Sequence, residues 1–217
     1  MKVIAMAAQK GGSGKTTVAL HLAVEAQKQG LSVAVIDADP QGSAKSWADQ
    51  REDGAAVPVA LVAVEAVERA LAAAEQDGYD LVVIDTPPHA SVRSQHLIAH
   101  ADLVVIPVQP SALDLAALPA MLSLIRPGTA PHRAVISAAP VGVAEVAQIR
   151  DALANYQVEA FETVIHSRMA FRRALAHGQA VAEFEPKGKA AGEVASLWAE
   201  VAELLQLATP AQEAANV

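Results

Sequence analysis

Residues 10–17 read KGGSGKTT, and the rest of the chain is best understood outward from this stretch. It follows a short apolar run, KVIAMAA (residues 2–8), and precedes an Ala/Leu-rich helical pattern that reaches about Gln29. A strand, a glycine-dense loop and a helix in that order make a concave anion site, because successive backbone N–H groups and the helix N-terminus converge on it. The strict form of such a loop, G-x-x-x-x-G-K-[ST], needs a glycine at position 9, where this chain has Gln9. Gly11, Gly12 and Gly14 are present instead, and a second lysine, Lys10, stands at the mouth. In this reading Lys15 reaches the β- and γ-phosphates of a bound nucleotide and the Thr16 hydroxyl ligates Mg²⁺.

The pattern around the loop repeats. Val/Ile-rich runs (SVAVID, PVALVA, DLVVID, DLVVIPV, HRAVISA) alternate with longer Ala/Leu-rich segments up to about Asn155. Continuous apolar strands belong to a parallel sheet covered on both faces. The expected fold is therefore α/β, a doubly wound and mostly parallel sheet with helices on both faces. Beyond Glu159 follow a short FETVI strand, a basic helical segment and a last helix over about 190–207. The 217 residues fit one domain (1–208), with TPAQEAANV at the end reading as a flexible tail (209–217). Absence of cysteine excludes disulfides, thiolate zinc sites and iron–sulfur clusters. Neither a cleavable leader nor a membrane-length apolar run is visible, so a cytoplasmic protein is expected.

Two acidic motifs end strands. VIDADPQGSA carries Asp37 and Asp39, and LVVIDTPP carries Asp85. Ligands of open α/β sheets bind at the carboxyl ends of the strands, where all three segments converge. Asp85 suits a carboxylate that holds Mg²⁺, and Asp39 is placed to orient an attacking water. Asp37 reads either as a support for this loop or as a plain turn residue.

KGGSGKTT, DADPQGSAKSW, VIDTPP and IPVQPSALDL, in this order and spacing, resemble the ParA/MinD family of ATPases with a deviant Walker A motif. The resemblance spans Met1 to about Leu205 and is nearest to small, ParF-like members of this SIMIBI-type P-loop NTPase fold. It implies ATP binding by Gly11, Gly12, Ser13, Gly14, Lys15, Thr16 and Thr17, with Pro107 and Gln109 in a nearby loop that senses the γ-phosphate. Metal binding falls to Thr16, Asp85 and Asp39, and catalysis to Lys10, Lys15 and Asp39. The resemblance also answers for the second lysine: in an ATP-bound sandwich homodimer, Lys10 crosses to the partner's phosphates. Ser111 in the same loop also reads as a helix N-cap, and Trp47 as either an interface or a core residue.

Although the chain has a net charge of −8, Arg168, Arg172, Arg173, Lys187 and Lys189 cluster near its end, opposed within that window only by Glu183 and Glu185. Such a patch is the footprint of phosphate-backbone binding. Similar ParA-type proteins bind non-specific double-stranded DNA there in the ATP state, which implies nucleoid association and an adaptor protein that stimulates hydrolysis. The tail lacks the basic amphipathic helix of a membrane-bound relative. A small metabolic ATPase or synthetase is the rival reading. The residues do not distinguish a plasmid, a chromosome, a carboxysome or a chemoreceptor cluster as cargo.

Overall fold

The computed structural model describes residues 1–51, 57–88, 91–125, 130–141 and 143–207. The expected flexible tail lies outside the described residues. Seven strands form one sheet in the order β3-β2-β4-β1-β5-β6-β7. They are β1 (Lys2–Met6), β2 (Val33–Asp37), β3 (Val59–Leu61), β4 (Leu81–Asp85), β5 (Leu103–Val108), β6 (His132–Ala139) and β7 (Ala160–His166). Every neighbouring pair is parallel. Nine α-helices are seen among the described residues: α1 (Lys15–Lys28), α2 (Ser43–Ala48), α3 (Val67–Gln76), α4 (Val92–Ile98), α5 (Ala112–Leu122), α6 (Val143–Asn155), α7 (Met169–Ala176), α8 (Val181–Phe184) and α9 (Lys189–Leu205).

The apolar runs explain the layering. All residues of β4 and β5 are buried, as covering both faces of a parallel sheet requires. Because side chains alternate along a strand, β1 sends Ile4 and Met6 to one face and Val3 and Ala5 to the other. The first face packs against α1, α2, α7, α8 and α9 through residues such as Leu20, Trp47, Phe171, Val181 and Leu197. The second packs against α3 to α6 through Leu71, Leu97, Leu118 and Leu153. Each fully buried Leu or Ile contributes about 1.5–3 kcal/mol by leaving water. Pro107 is tolerated inside β5 because β1 pairs β5 only as far as Met6 and Val105, so no ladder bond from position 107 to β1 is lost.

Register positions the site. Met6 pairs with Asp85, and Asp37 pairs with the same Asp85 from the other side. Strands β1, β2 and β4 thus end level. The glycine loop, the Asp37–Asp39 segment and the Asp85–Pro88 segment leave the sheet side by side.

Helix α1 runs through the middle of the first layer, and Val18 to Ala26 are all buried. His21 is among them. Its Nδ1–H donates to the Thr17 carbonyl at 2.7 Å, while Nε2 is buried without a hydrogen-bond partner. Its ring meets Phe171 of α7 edge-on at 5.0 Å. Burial holds the imidazole pKa down at about 4, so it is neutral in the fold. The unfolded chain therefore takes up this proton near pH 6.5, and the folded chain only near pH 4. Stability from this group falls as pH drops between the two, because the unfolded state binds more protons there. Asp85 acts in the opposite sense, since its folded pKa lies above its unfolded value. His21→Leu isolates the first effect. In denaturant unfolding at pH 7.5 and pH 5, the wild type should lose about 2 kcal/mol more than the variant on acidification. Equal losses in both proteins would show that His21 is not buried neutral.

Candidate functional site

Gly14 is the N-cap of α1 with φ +102°, a backbone region that a side chain makes costly. It offers no side-chain cap, so the first N–H groups of α1 remain available to an anion. The loop is pinned from both flanks. Ser137 of β6 donates to the Ser13 carbonyl at 2.9 Å, and the Gln109 amide donates to the Gly12 carbonyl at 2.7 Å. The Lys15 ammonium is folded over the loop, 3.5 Å from the Ala8 carbonyl and 3.4 Å from that of Lys10. These are long contacts for a charged donor, and phosphate oxygens would replace them with shorter ones. Burial lowers the Lys15 pKa, against the nearby carboxylates of Asp85 and Asp39.

Asp85 is 1% exposed. One of its oxygens accepts the Thr16 hydroxyl at 2.6 Å, and the other is buried without a hydrogen-bond partner. Burial pushes its pKa up to about 7, opposed by the Thr16 hydroxyl. A buried carboxylate with a free oxygen beside a threonine hydroxyl is a hard oxygen donor set, and a divalent cation fits it. Asp37 is fully buried; its two oxygens accept from the Asp39 and Lys45 backbone N–H groups, which fixes the turn and the start of α2. It is a scaffold for the loop. Asp39 in turn accepts from the Gln41 N–H at 2.9 Å and lines a cleft of about 670 Å³ together with Gly11, Gly12, Lys15, Thr16 and Thr17. Trp47, only 4% exposed, closes one wall of that cleft, so it is at once a core residue and a lining residue.

Sequence reasoning missed Asp114. Lys10 does not extend freely: its ammonium lies 3.1 Å from an Asp114 carboxylate oxygen, with the aspartate side chain 4% exposed. The same oxygen accepts the Ser111 hydroxyl, and Ser111 caps α5 by accepting from the Asp114 N–H at 3.1 Å. Ser-x-x-Asp ahead of an apolar helix resembles a capping box, a local signal for Asp114 within the IPVQPSALDL stretch. Pro107 lies beside this group, at the foot of the loop that carries Gln109.

The basic residues divide. Arg172, Arg173, Lys187 and Lys189 are exposed. Arg168 is held instead by Glu193 of α9, its guanidinium donating at 2.9 and 2.5 Å. The Glu193 carboxylate also accepts from the His166 backbone and lies 2.8 Å from the His166 ring. Glu193 falls outside the basic window of the sequence, so its neutralising role was not visible there.

Residues 4–181 match the family described as the CobQ/CobB/MinD/ParA nucleotide binding domain. The chromosome-partitioning ATPase Soj of Thermus thermophilus is 32% identical, over 91% of this chain and 94% of its own length. The septum site-determining protein MinD of Pyrococcus horikoshii, solved with Mg-ADP, superposes with a TM-score of 0.76 at 18% identity, covering 94% of this chain and 97% of that one. Apo McdA of Cyanothece superposes with a TM-score of 0.70 at 20% identity, covering 94% and 99%. Those likenesses establish a shared fold, while the family match and the Soj identity establish kinship. The chain belongs to the ParA/MinD family of nucleotide-binding proteins, a P-loop fold of the partitioning and positioning ATPase type.

Proposed function

We propose that this protein is an ATP-dependent dimerising ATPase that binds non-specific DNA in its ATP state and positions a cargo with an activating partner. The observation that carries the reading is the placing of Lys10. Its ammonium stands at the mouth of the phosphate loop with 44% of the side chain exposed, on the same sheet edge as Asp39 and Asp85. Around that edge lie Leu61, Val92, Leu113, Val141 and Met169, five of the seven exposed large hydrophobic residues among those described. Exposed apolar side chains at the carboxyl ends of the strands, where the charged cleft also opens, suit closure against a second subunit.

In this reading the loop N–H groups and Lys15 hold the phosphates of ATP. Thr16 and Asp85 would hold Mg²⁺, with Asp39 facing the same space; the ion supplies charge neutralisation on the β- and γ-phosphates. Asp39 orients the attacking water. Lys10 of one subunit reaches the other's γ-phosphate, supplying positive charge where the transition state spreads negative charge. Closure also brings two basic patches onto one surface, so DNA affinity depends on the triphosphate. An adaptor bound to the cargo stimulates turnover and releases the subunits. Nucleoid association follows from DNA binding. Among the described residues no helix is long and apolar enough to cross a membrane.

The experiment is binding to non-specific double-stranded DNA, with ATP or ADP, across a salt series. Binding is expected with ATP alone. Two subunits offer Arg172, Arg173, Lys187 and Lys189 twice over, so affinity should fall roughly 10³–10⁵-fold between about 50 and 200 mM salt. Absence of binding in both nucleotide states removes DNA from the mechanism. ATP turnover that needs neither DNA nor a partner would favour a small-molecule synthetase instead.

A further inference from the structure

Away from the cleft, among the described residues, Glu68, His96 and His100 form a group of three potential metal ligands whose donor atoms all lie within 4.8 Å of one another. His96 and His100 belong to the stretch HLIAH, which runs from α4 into the turn that ends it. Four residues apart, they share one side of that turn. Leu97 and Ile98 between them are buried in the second layer at 0% and 1% exposure, which fixes the orientation of the whole segment. Glu68 comes from the first turn of α3.

Its carboxylate oxygen lies 4.0 Å from His96 Nε2 and 3.7 Å from His100 Nε2. Both distances are too long for hydrogen bonds. His100 Nε2 is shielded from solvent and has no hydrogen-bond partner, a state that buried polar atoms rarely keep. The two rings stand 5.1 Å apart at 89°, so they do not stack on each other. Four-coordinate zinc with ligands at about 2.0–2.2 Å holds its donor atoms roughly 3.3–3.5 Å apart. Glu68 is 68% exposed, so a rotamer change can shorten both Glu68–His distances by the few tenths of an ångström required, while the His96 ring, 43% exposed, is free to turn toward His100.

We propose that Glu68, His96 and His100 bind a divalent transition-metal ion of the zinc class, through both Nε2 atoms and one carboxylate oxygen, with water in the fourth position. Two imidazoles and one carboxylate form a borderline donor set that Mg²⁺, which takes oxygen, does not select. HLIAH keeps the His spacing of the hydrolytic H-E-x-x-H motif but has Leu97 where the general base would stand. The ion therefore serves as a clip. It ties the end of α4 to the start of α3, on the seam where Arg93 and Glu65 already pair at 3.4 Å. Helix α4 is the next element after the Asp85–Pro88 segment, so the clip steadies the helix that follows this wall of the cleft.

The test uses the full chain, stripped of metal and held in excess Mg²⁺ to fill hard oxygen sites. Co²⁺ is titrated by visible absorption and Zn²⁺ by calorimetry. The expected result is one ion per chain, strong visible bands of four-coordinate cobalt, their displacement by Zn²⁺, and a raised thermal midpoint. Even outer-shell partners of metal ligands are worth ~10–100-fold in affinity, so loss of two ligands in a His96→Ala/His100→Ala variant should cost at least ~100-fold. Glu68→Gln should weaken binding about tenfold while leaving the fold and nucleotide binding unchanged. Binding that persists in the double variant places the ion elsewhere and overturns the proposal. So does the absence of saturable binding in the wild type, which would leave Glu68 and the two histidines as plain surface ion pairs.

Discussion

Lys10→Ala is expected to bind ATP and yet fail to dimerise, to bind DNA, or to respond to an activating partner. The loop N–H groups and Lys15 surround the phosphates without it, so nucleotide affinity should change little. Charge delivered across an interface to a transferring phosphoryl group is worth roughly 10³–10⁵ in rate, and stimulated turnover should fall by that order. The structure adds a cost that the wild type meets and the variant does not. Lys10 is ion-paired with the nearly buried Asp114 of its own chain, and reaching a second subunit means leaving that carboxylate. In the proposed dimer the triphosphate would have to displace Asp114 from Lys10, and closure would then depend on the γ-phosphate. Asp39→Ala should fail in the opposite way, forming a dimer with ATP that persists because the water is no longer oriented. Light scattering with ATP and with a non-hydrolysable analogue separates the two. Dimerisation of Lys10→Ala at the wild-type concentration range would sink the trans role, and wild-type turnover by Asp39→Ala would sink the role of that carboxylate.

The parts of the site that could be read from the sequence are those whose partners are local. KVIAM, VAVID and LVVID are apolar to their last residues and then change character, so their ends locate a sheet edge. Asp37 and Asp85 are found there because a charge after four apolar residues has few other places to go. Lys10 and Asp114 are 104 residues apart, and although Asp114 lies within IPVQPSALDL, nothing in that stretch marks it as the partner of Lys10. Glu193 silences Arg168 from a different helix, 25 residues on. Charge counted along a window cannot see charge brought by packing. The single basic helical segment expected from the sequence differs from the structure for a related reason. The basic segment is broken into α7 and α8 around Gly178, which has a φ of +65° and where an added Cβ would come within 3.0 Å of the Gln50 backbone.

That approach belongs to the contact with the largest expected effect on stability, centred on Arg51. Arg51→Ala should lose about 3–5 kcal/mol, the usual result of removing one partner from a buried ion pair. The Arg51 side chain is 5% exposed and that of Glu183 27%, which favours the lower end. The guanidinium donates to both Glu183 oxygens at 3.0 and 2.6 Å, to the Gly178 carbonyl at 2.8 Å, and lies 4.6 Å from the centre of the Trp47 ring. Burial alone would raise the Glu183 pKa, but Arg51 and the Ala180 N–H outweigh it and hold the carboxyl below its ordinary value. Without Arg51 that carboxylate remains half-covered with one backbone donor. Near 217 residues each kcal/mol is worth about 2–4 °C, so the thermal midpoint should drop by roughly 6–12 °C. Arg51→Lys keeps the charge and loses the two-pronged geometry, and should lose about half as much. Nucleotide affinity should fall with stability in Arg51→Ala, because Trp47 and Gln50 line the cleft and Trp47 is itself tied to the Gln179 carbonyl at 3.3 Å. An Arg51→Ala protein within about 0.5 kcal/mol of wild type would mean that the apolar face of α2 and the Trp47–Gln179 hydrogen bond are enough to hold it. The loop behind Asp39 and the segment behind Arg172 would then be fastened through Trp47 and Gln179, with the ion pair adding little.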